Sequence, residues 1–184
     1  MGSDYELIQK ILQGNPTLYG VLVKKYQKQI YALGVKLFRN LEDAEDFSQE
    51  VFIKAYERLH SFRGDSAFYT WLFRVGYFLG LSWHRKRKGP VSLPSEYDIP
   101  DSTPAPEIIH LQKDALAALQ SAIDELPDRY RICLELYFSF GMTYQDISDI
   151  TDIPVGTVKS HVFRAKLRLR ESLKGTVAEA MHEV

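Results

Sequence analysis

Apolar residues recur every three to four positions along most of this chain, and no stretch shows the convincing two-residue alternation of a half-buried strand. Leu18, Leu22, Tyr26, Ile30, Leu33 and Leu37 predict one long helix, and Phe47, Val51, Ala55 and Leu59 predict the next. Gly14-Asn15-Pro16 and Arg63-Gly64-Asp65-Ser66 read as breaks between helices. Asn40 is placed to cap the second helix, whose early acids suit the positive end of its dipole. Further on, Leu111, Ala115, Leu119, Ala122, Ile123 and Leu126 outline another helix, and Pro127 pre-sets the first turn of its successor. Thr143 with Asp146 has the form of a capping box opening a short helix with Ile147 and Ile150 inward. Thr151-Asp152-Ile153-Pro154 breaks that helix, and Val158 and Val162 mark the inner side of the one that follows. The pattern predicts an all-α chain containing a helix-turn-helix.

Five of the eight prolines fall between residues 89 and 110, where apolar periodicity fades. This divides the chain into two small helical domains, 1–88 and 111–184, joined by a flexible linker. As a coil the 22 linker residues span about 26 Å, more if proline stiffens them, so the two domains are able to sit apart on one extended partner.

Charge sharpens this division. The 184 residues carry 23 Lys+Arg against 24 Asp+Glu, but the signs are segregated. Glu42, Asp43, Glu45, Asp46 and Glu50 crowd one helix, and Arg85-Lys86-Arg87-Lys88 closes the first domain. The linker carries Glu96, Asp98, Asp101 and Glu107 with no Lys or Arg. Residues 155–174 hold Lys159, Arg164, Lys166, Arg168, Arg170 and Lys174 against Glu171. Such blocks point to an anionic partner and to a basic one.

Enzyme chemistry has no foothold in the sequence. The lone Cys133 excludes an internal disulfide and a Cys-rich zinc site, and the histidines are too far apart for a local ligand pair. No phosphate-binding glycine loop is present. No enzymatic activity, cofactor or metal is expected. Neither a secretory leader nor a stretch of roughly 18 apolar residues appears, so membrane insertion is not expected, and the lone Cys133 points to a cytoplasmic location.

Two surfaces remain. Once Val158 and Val162 face the core, Lys159, Ser160, His161, Arg164 and Lys166 face outward, groups suited to base edges and phosphates of a major groove. Nine of the 23 aromatics lie between Tyr56 and Trp83, interleaved with Arg58, Arg63 and Arg74. Such a set is suited to stacking unpaired bases, although many of these rings are expected simply to pack a helical core.

The stretches Asp43–Leu59 and Phe62–Leu72, then Leu126-Pro127 and Pro154–Ala165, together resemble the extracytoplasmic-function (ECF) sigma factors of bacterial transcription initiation. The resemblance spans nearly the whole chain outside the linker. It implies that Asp46, Gln49, Glu50 and Phe52 dock on core RNA polymerase. Phe62, Arg63, Gly64, Phe68, Tyr69 and Trp71 are implied to hold the melted minus-ten element. Gly156, Thr157, Lys159, Ser160 and Arg164 are implied to read the minus-thirty-five duplex. It further implies a linker passing near the RNA exit path, an anti-sigma factor as partner, and a monomer when free of partners. The sequence departs from the family at Phe78 and Ser82, where Asn followed by Asp or Asn is common, and at His161, where Arg is common. A stand-alone helix-turn-helix regulator, which binds an operator without polymerase, is the alternative reading.

Overall fold

A computed structural model describes residues 3–86 and 106–174, with side chains from residue 114 onward in the second stretch. The linker expected over 89–110 lies outside the described residues except at its end, where a helix already begins at Pro106, ahead of the periodicity that marked its start at Leu111. The described residues contain helices and turns and no strand. They form two compact units, one centred on four helices before residue 87 and the other on four helices after residue 105.

The first unit comprises α1 (Asp4–Leu12), α2 (Tyr19–Phe38), α3 (Leu41–Glu57) and α4 (Phe68–Lys86). Short 3-10 turns lie at Pro16–Leu18 and Leu59–Ser61. The recurrence that predicted α2 is its buried stripe, Leu22, Tyr26, Ile30, Leu33, Gly34 and Leu37. Asn40 caps α3 as expected, its side-chain oxygen accepting from the Asp43 N–H at 3.0 Å. α2, α3 and α4 pack against one another around Phe47, Val51, Leu72 and Phe73. Two glycines set how closely they approach. A Cβ at Gly34 would stand 2.9 Å from Phe47 Cδ1, and one at Gly80 would stand 2.8 Å from Leu37 Cδ1. Gly76, four residues before Gly80 on α4, adds to this, since a Cβ there would stand 3.2 Å from Leu33 Cδ2.

The second unit comprises α5 (Pro106–Asp124), α6 (Asp128–Phe138), α7 (Tyr144–Thr151) and α8 (Val155–Ser172). Leu126, Tyr130, Leu134 and Ala165 form a buried cluster, with Ile123 and Leu169 packed beside it. α7 opens on the predicted capping box: Thr143 Oγ1 accepts from the Asp146 N–H at 3.1 Å, and the Asp146 carboxylate accepts from the Thr143 N–H at 3.0 Å. Ile147 and Ile150 of α7, and Val158 and Val162 of α8, are buried as expected. Asp152 breaks the chain between the two helices with a left-handed φ of 59°.

Candidate polymerase and nucleic-acid surfaces

α3 carries its acids on one side because its core stripe is on the other. Ala44, Phe47, Ser48, Val51, Phe52 and Ala55 point inward. Glu42, Glu45, Asp46 and Gln49 are therefore left in solvent at the three-to-four-residue spacing of a single face. Two residues expected on that face are elsewhere. Phe52 is only 7% exposed, because position 52 follows Val51 on the inner stripe, and its carbonyl accepts from the Tyr19 hydroxyl at 2.7 Å. Burial, then the neighbouring Tyr56, pushes the Tyr19 phenol well above its ordinary range, so it remains a donor. Glu50 is half-buried and accepts from the Trp83 indole at 3.0 Å. The face instead continues into Ile53, 57% exposed, and Tyr56. The sequence reading assigns Ile53 to no surface and counts Tyr56 with the base-stacking aromatics, although both continue the three-to-four-residue spacing from Gln49.

The loop between α3 and α4 holds the aromatic cluster. Phe62 and Phe68 are 6% and 3% exposed. Phe68 stacks on Trp71 and Phe62 meets both edge-on, in a three-ring set whose centroids are 5.5–5.6 Å apart, and Tyr26 extends it at 5.6 Å from Phe68. This corrects the expectation for Phe62 and Phe68: as packed rings they support the loop and offer no open face to a base. Arg63 and Gly64 are exposed, Tyr69 and Trp71 half-buried. Gly64 has φ 83°, a left-handed conformation that glycine adopts without steric cost. The loop opens a cleft of about 500 Å3 lined by Ser61 to Ser66, Trp71 and Arg74. The cleft brings the Trp71 ring, the Arg63 and Arg74 guanidinium groups and the Asp65 carboxylate to one exposed turn. Further along α4, Phe78 is exposed with the Arg74 guanidinium carbon 5.1 Å from its ring centre, and Ser82 is half-buried.

On α8 all five residues assigned to duplex reading, Gly156, Thr157, Lys159, Ser160 and Arg164, are exposed, on the side away from Val158, Val162 and Ala165. Ser160 Oγ donates to the Gly156 carbonyl at 3.0 Å. The Lys159 ammonium lies 5.9 Å from the ring centre of Tyr144, which stacks at 4.8 Å on Tyr137. The Arg164 guanidinium donates to the Tyr130 hydroxyl at 3.5 Å and holds that phenol below its ordinary pKa. His161 departs from the outward expectation. It is half-buried against α6, with Nδ1 3.7 Å from Cys133 Sγ and its ring 5.2 Å from that of Tyr130. Burial, then the charges of Arg129 and Arg164, lowers its pKa, while burial raises Cys133 to about 11.

Residues 22–89 match the Sigma-70 region 2 family, and residues 116–169 match Sigma-70, region 4. The RNA polymerase sigma-H factor of Pseudomonas aeruginosa is 34% identical across 96% of this chain and 97% of its own length. The chain is an ECF RNA polymerase sigma factor. The ECF RNA polymerase sigma-E factor of Escherichia coli K12 is 33% identical, covering 89% of this sigma factor and 91% of the relative. Among solved structures, the sigma factor RpoE of Bartonella quintana, determined with the anti-sigma factor NepR, aligns with a TM-score of 0.69 at 26% identity over 85% of this chain and 97% of that one. CnrH, determined with the cytosolic domain of CnrY, shares the fold at a TM-score of 0.70 and 22% identity, covering 94% and 98% of the two chains. The sigma factor is thus a transcription initiation factor and not an enzyme. None of its described helices is long and apolar enough to cross a membrane.

Proposed function

We propose that this sigma factor binds polymerase with one surface, reads the promoter with two others, and acts in the cytoplasm as a monomer that is handed between core RNA polymerase and an anti-sigma partner. Residues 1–88 bind polymerase through Asp46, Gln49 and the adjoining Ile53 and Tyr56. The same domain receives an unpaired minus-ten base in the cleft bounded by Arg63, Gly64 and Trp71, with Tyr69 beside it. Residues 111–184 lay α8 along the minus-thirty-five duplex, where Lys159 and Arg164 reach bases or phosphates and Thr157 and Ser160 supply short hydrogen-bonding groups. The complex of the Bartonella quintana relative with NepR supports an anti-sigma partner here.

The observation that carries this reading is the exposed row Thr157, Lys159, Ser160 and Arg164, set on the face of α8 opposite the buried Val158, Val162 and Ala165. Energetics supports the need for polymerase. Opening about ten base pairs at roughly 1.4 kcal/mol per step costs on the order of 14 kcal/mol. Stacking one or two captured bases returns only about 1–3 kcal/mol each. Run-off transcription with purified core polymerase and a panel of promoter templates tests the proposal. Promoter-specific transcripts that require this chain are expected; tight operator binding with no effect on transcription would favour the stand-alone regulator.

A further inference from the structure

α1 lies outside the stretch matched by the region 2 family, which begins at residue 22, so that comparison gives it no role. It is nevertheless firmly built. Ser3 and Glu6 close a reciprocal capping box at its start. The Asp4 carboxylate ties it to α2 by accepting from Lys25 Nζ at 2.6 Å and from the Tyr26 hydroxyl. Tyr26 in turn packs on Phe68 of the three-ring set beneath the cleft. Next to Asp4, the Tyr5 ring crosses to the loop: a Cβ at Gly64 would stand 2.9 Å from both Tyr5 Cδ2 and Cε2, and the Tyr5 and Phe62 ring centres are 6.4 Å apart. Tyr5 is 47% exposed, so its burial contributes little to the core, yet its ring occupies the space that the missing side chain of Gly64 leaves open.

We propose that Tyr5 is a positioning residue for the minus-ten loop, its ring bracing Gly64 and Phe62 so that the turn from Arg63 to Ser66 is held in the shape that opens the cleft. This rests on the reading of the cleft as the site of an unpaired base. An exposed turn with a left-handed glycine at its centre has other shapes open to it, and a ring fixed from outside by the Asp4 anchor removes them before DNA arrives. The contact uses the Cδ2–Cε2 edge of the ring and not the hydroxyl, so phenylalanine should serve as well as tyrosine.

The test uses holoenzyme reconstituted from the full chain and core polymerase. The probe is a promoter fragment selected by run-off transcription, prepared fully paired and with its minus-ten segment unpaired and labelled with 2-aminopurine. Tyr5→Ala should weaken binding to the unpaired fragment about tenfold, as expected for a loosened supporting contact. Core polymerase affinity and binding to a minus-thirty-five duplex should not change, and Tyr5→Phe should behave as wild type. In the Tyr5→Ala background, Gly64→Ala should cost less than in the wild-type background, because its methyl group no longer meets the ring. Wild-type affinity in Tyr5→Ala, equal losses in Tyr5→Phe and Tyr5→Ala, or a matching loss of core affinity would each overturn the inference. If the wild-type holoenzyme gains nothing from the unpaired segment, the reading of the cleft falls and the inference falls with it.

Discussion

The Trp83 indole of α4 donates to the Glu50 carboxylate of α3 at 3.0 Å, so an acid from the middle of the acidic helix is turned toward the neighbouring helix. Trp83 also packs on Phe38 and Phe47, at 5.3 and 6.1 Å between ring centres. Glu50→Ala leaves that indole without its charged acceptor. The expected cost is about 1.5–3 kcal/mol of stability, the usual range for a hydrogen bond to a charged group. Urea unfolding reads this directly. Polymerase affinity should fall little once folding is accounted for, and a large loss of affinity without loss of stability would return Glu50 to the docking surface.

Asp46 has the opposite character. It is exposed on the same face as Gln49 and Ile53 and is bounded by Glu42 and Glu45. Asp46→Lys reverses the charge of the proposed docking face and is expected to abolish co-purification with core polymerase while leaving the unfolding midpoint nearly unchanged. Ile53→Ala should weaken the same interaction by about 1–2 kcal/mol, as truncation of an apolar anchor beside a charged rim does. Normal co-purification of Asp46→Lys would remove α3 from the polymerase interface.

The elements were legible because helical spacing alone marks α2, α3, α7 and α8, and because Asn40 and the Thr143–Asp146 pair form the capping hydrogen bonds their residue types favour. The facing of individual residues was less legible. Phe52, Phe62 and Phe68 sit in motifs that carry the family resemblance, and a motif does not say whether its rings point to a partner or to the core; here all three are core. Helical spacing from Val158 and Val162 turns His161 outward, but Tyr130 and Cys133 of α6 cover that side of α8. The contact of Tyr5 with Gly64 joins residues 59 positions apart, and no local pattern encodes it.

Gly34 gives a packing prediction of known sign. An added methyl group there would stand 2.9 Å from Phe47 Cδ1 and 3.0 Å from both the Cα and the carbonyl oxygen of Ala44, so the α2 and α3 backbones must move apart. Gly34→Ala is expected to destabilise by about 1–3 kcal/mol despite the better helix propensity of alanine, which is worth only about 1 kcal/mol. A stabilised variant in thermal unfolding would mean that the two helices separate more readily than their contact implies.

Lys159 and Arg164 stand on the exposed side of α8, and neither side chain is part of the core. Lys159→Ala or Arg164→Ala should weaken minus-thirty-five duplex binding by about 1–3 kcal/mol and leave polymerase affinity intact. Titrations at several salt concentrations separate their roles. A phosphate contact lowers the slope of log K against log salt by about one unit, whereas a base contact relaxes sequence preference at one position. Equal losses in duplex and polymerase binding would contradict the assignment of different partners to α8 and α3.

The packing of His161 fixes the sign of a pH effect. Burial, then Arg129 and Arg164, lowers its pKa, so the folded chain binds this proton less readily than the unfolded chain. Stability from this site is therefore fully present above the unfolded value of about 6.5 and declines as pH falls below it. Urea unfolding at about pH 7.5 and about pH 5.5 should show the loss on the acidic side, and His161→Gln should remove that part of the slope. Because the ring faces Tyr130 and Cys133 and is already neutral at about pH 7, minus-thirty-five affinity should not change between about pH 7 and 8. An affinity that falls over that interval in the wild type but not in His161→Gln would place a protonated imidazole on the DNA instead.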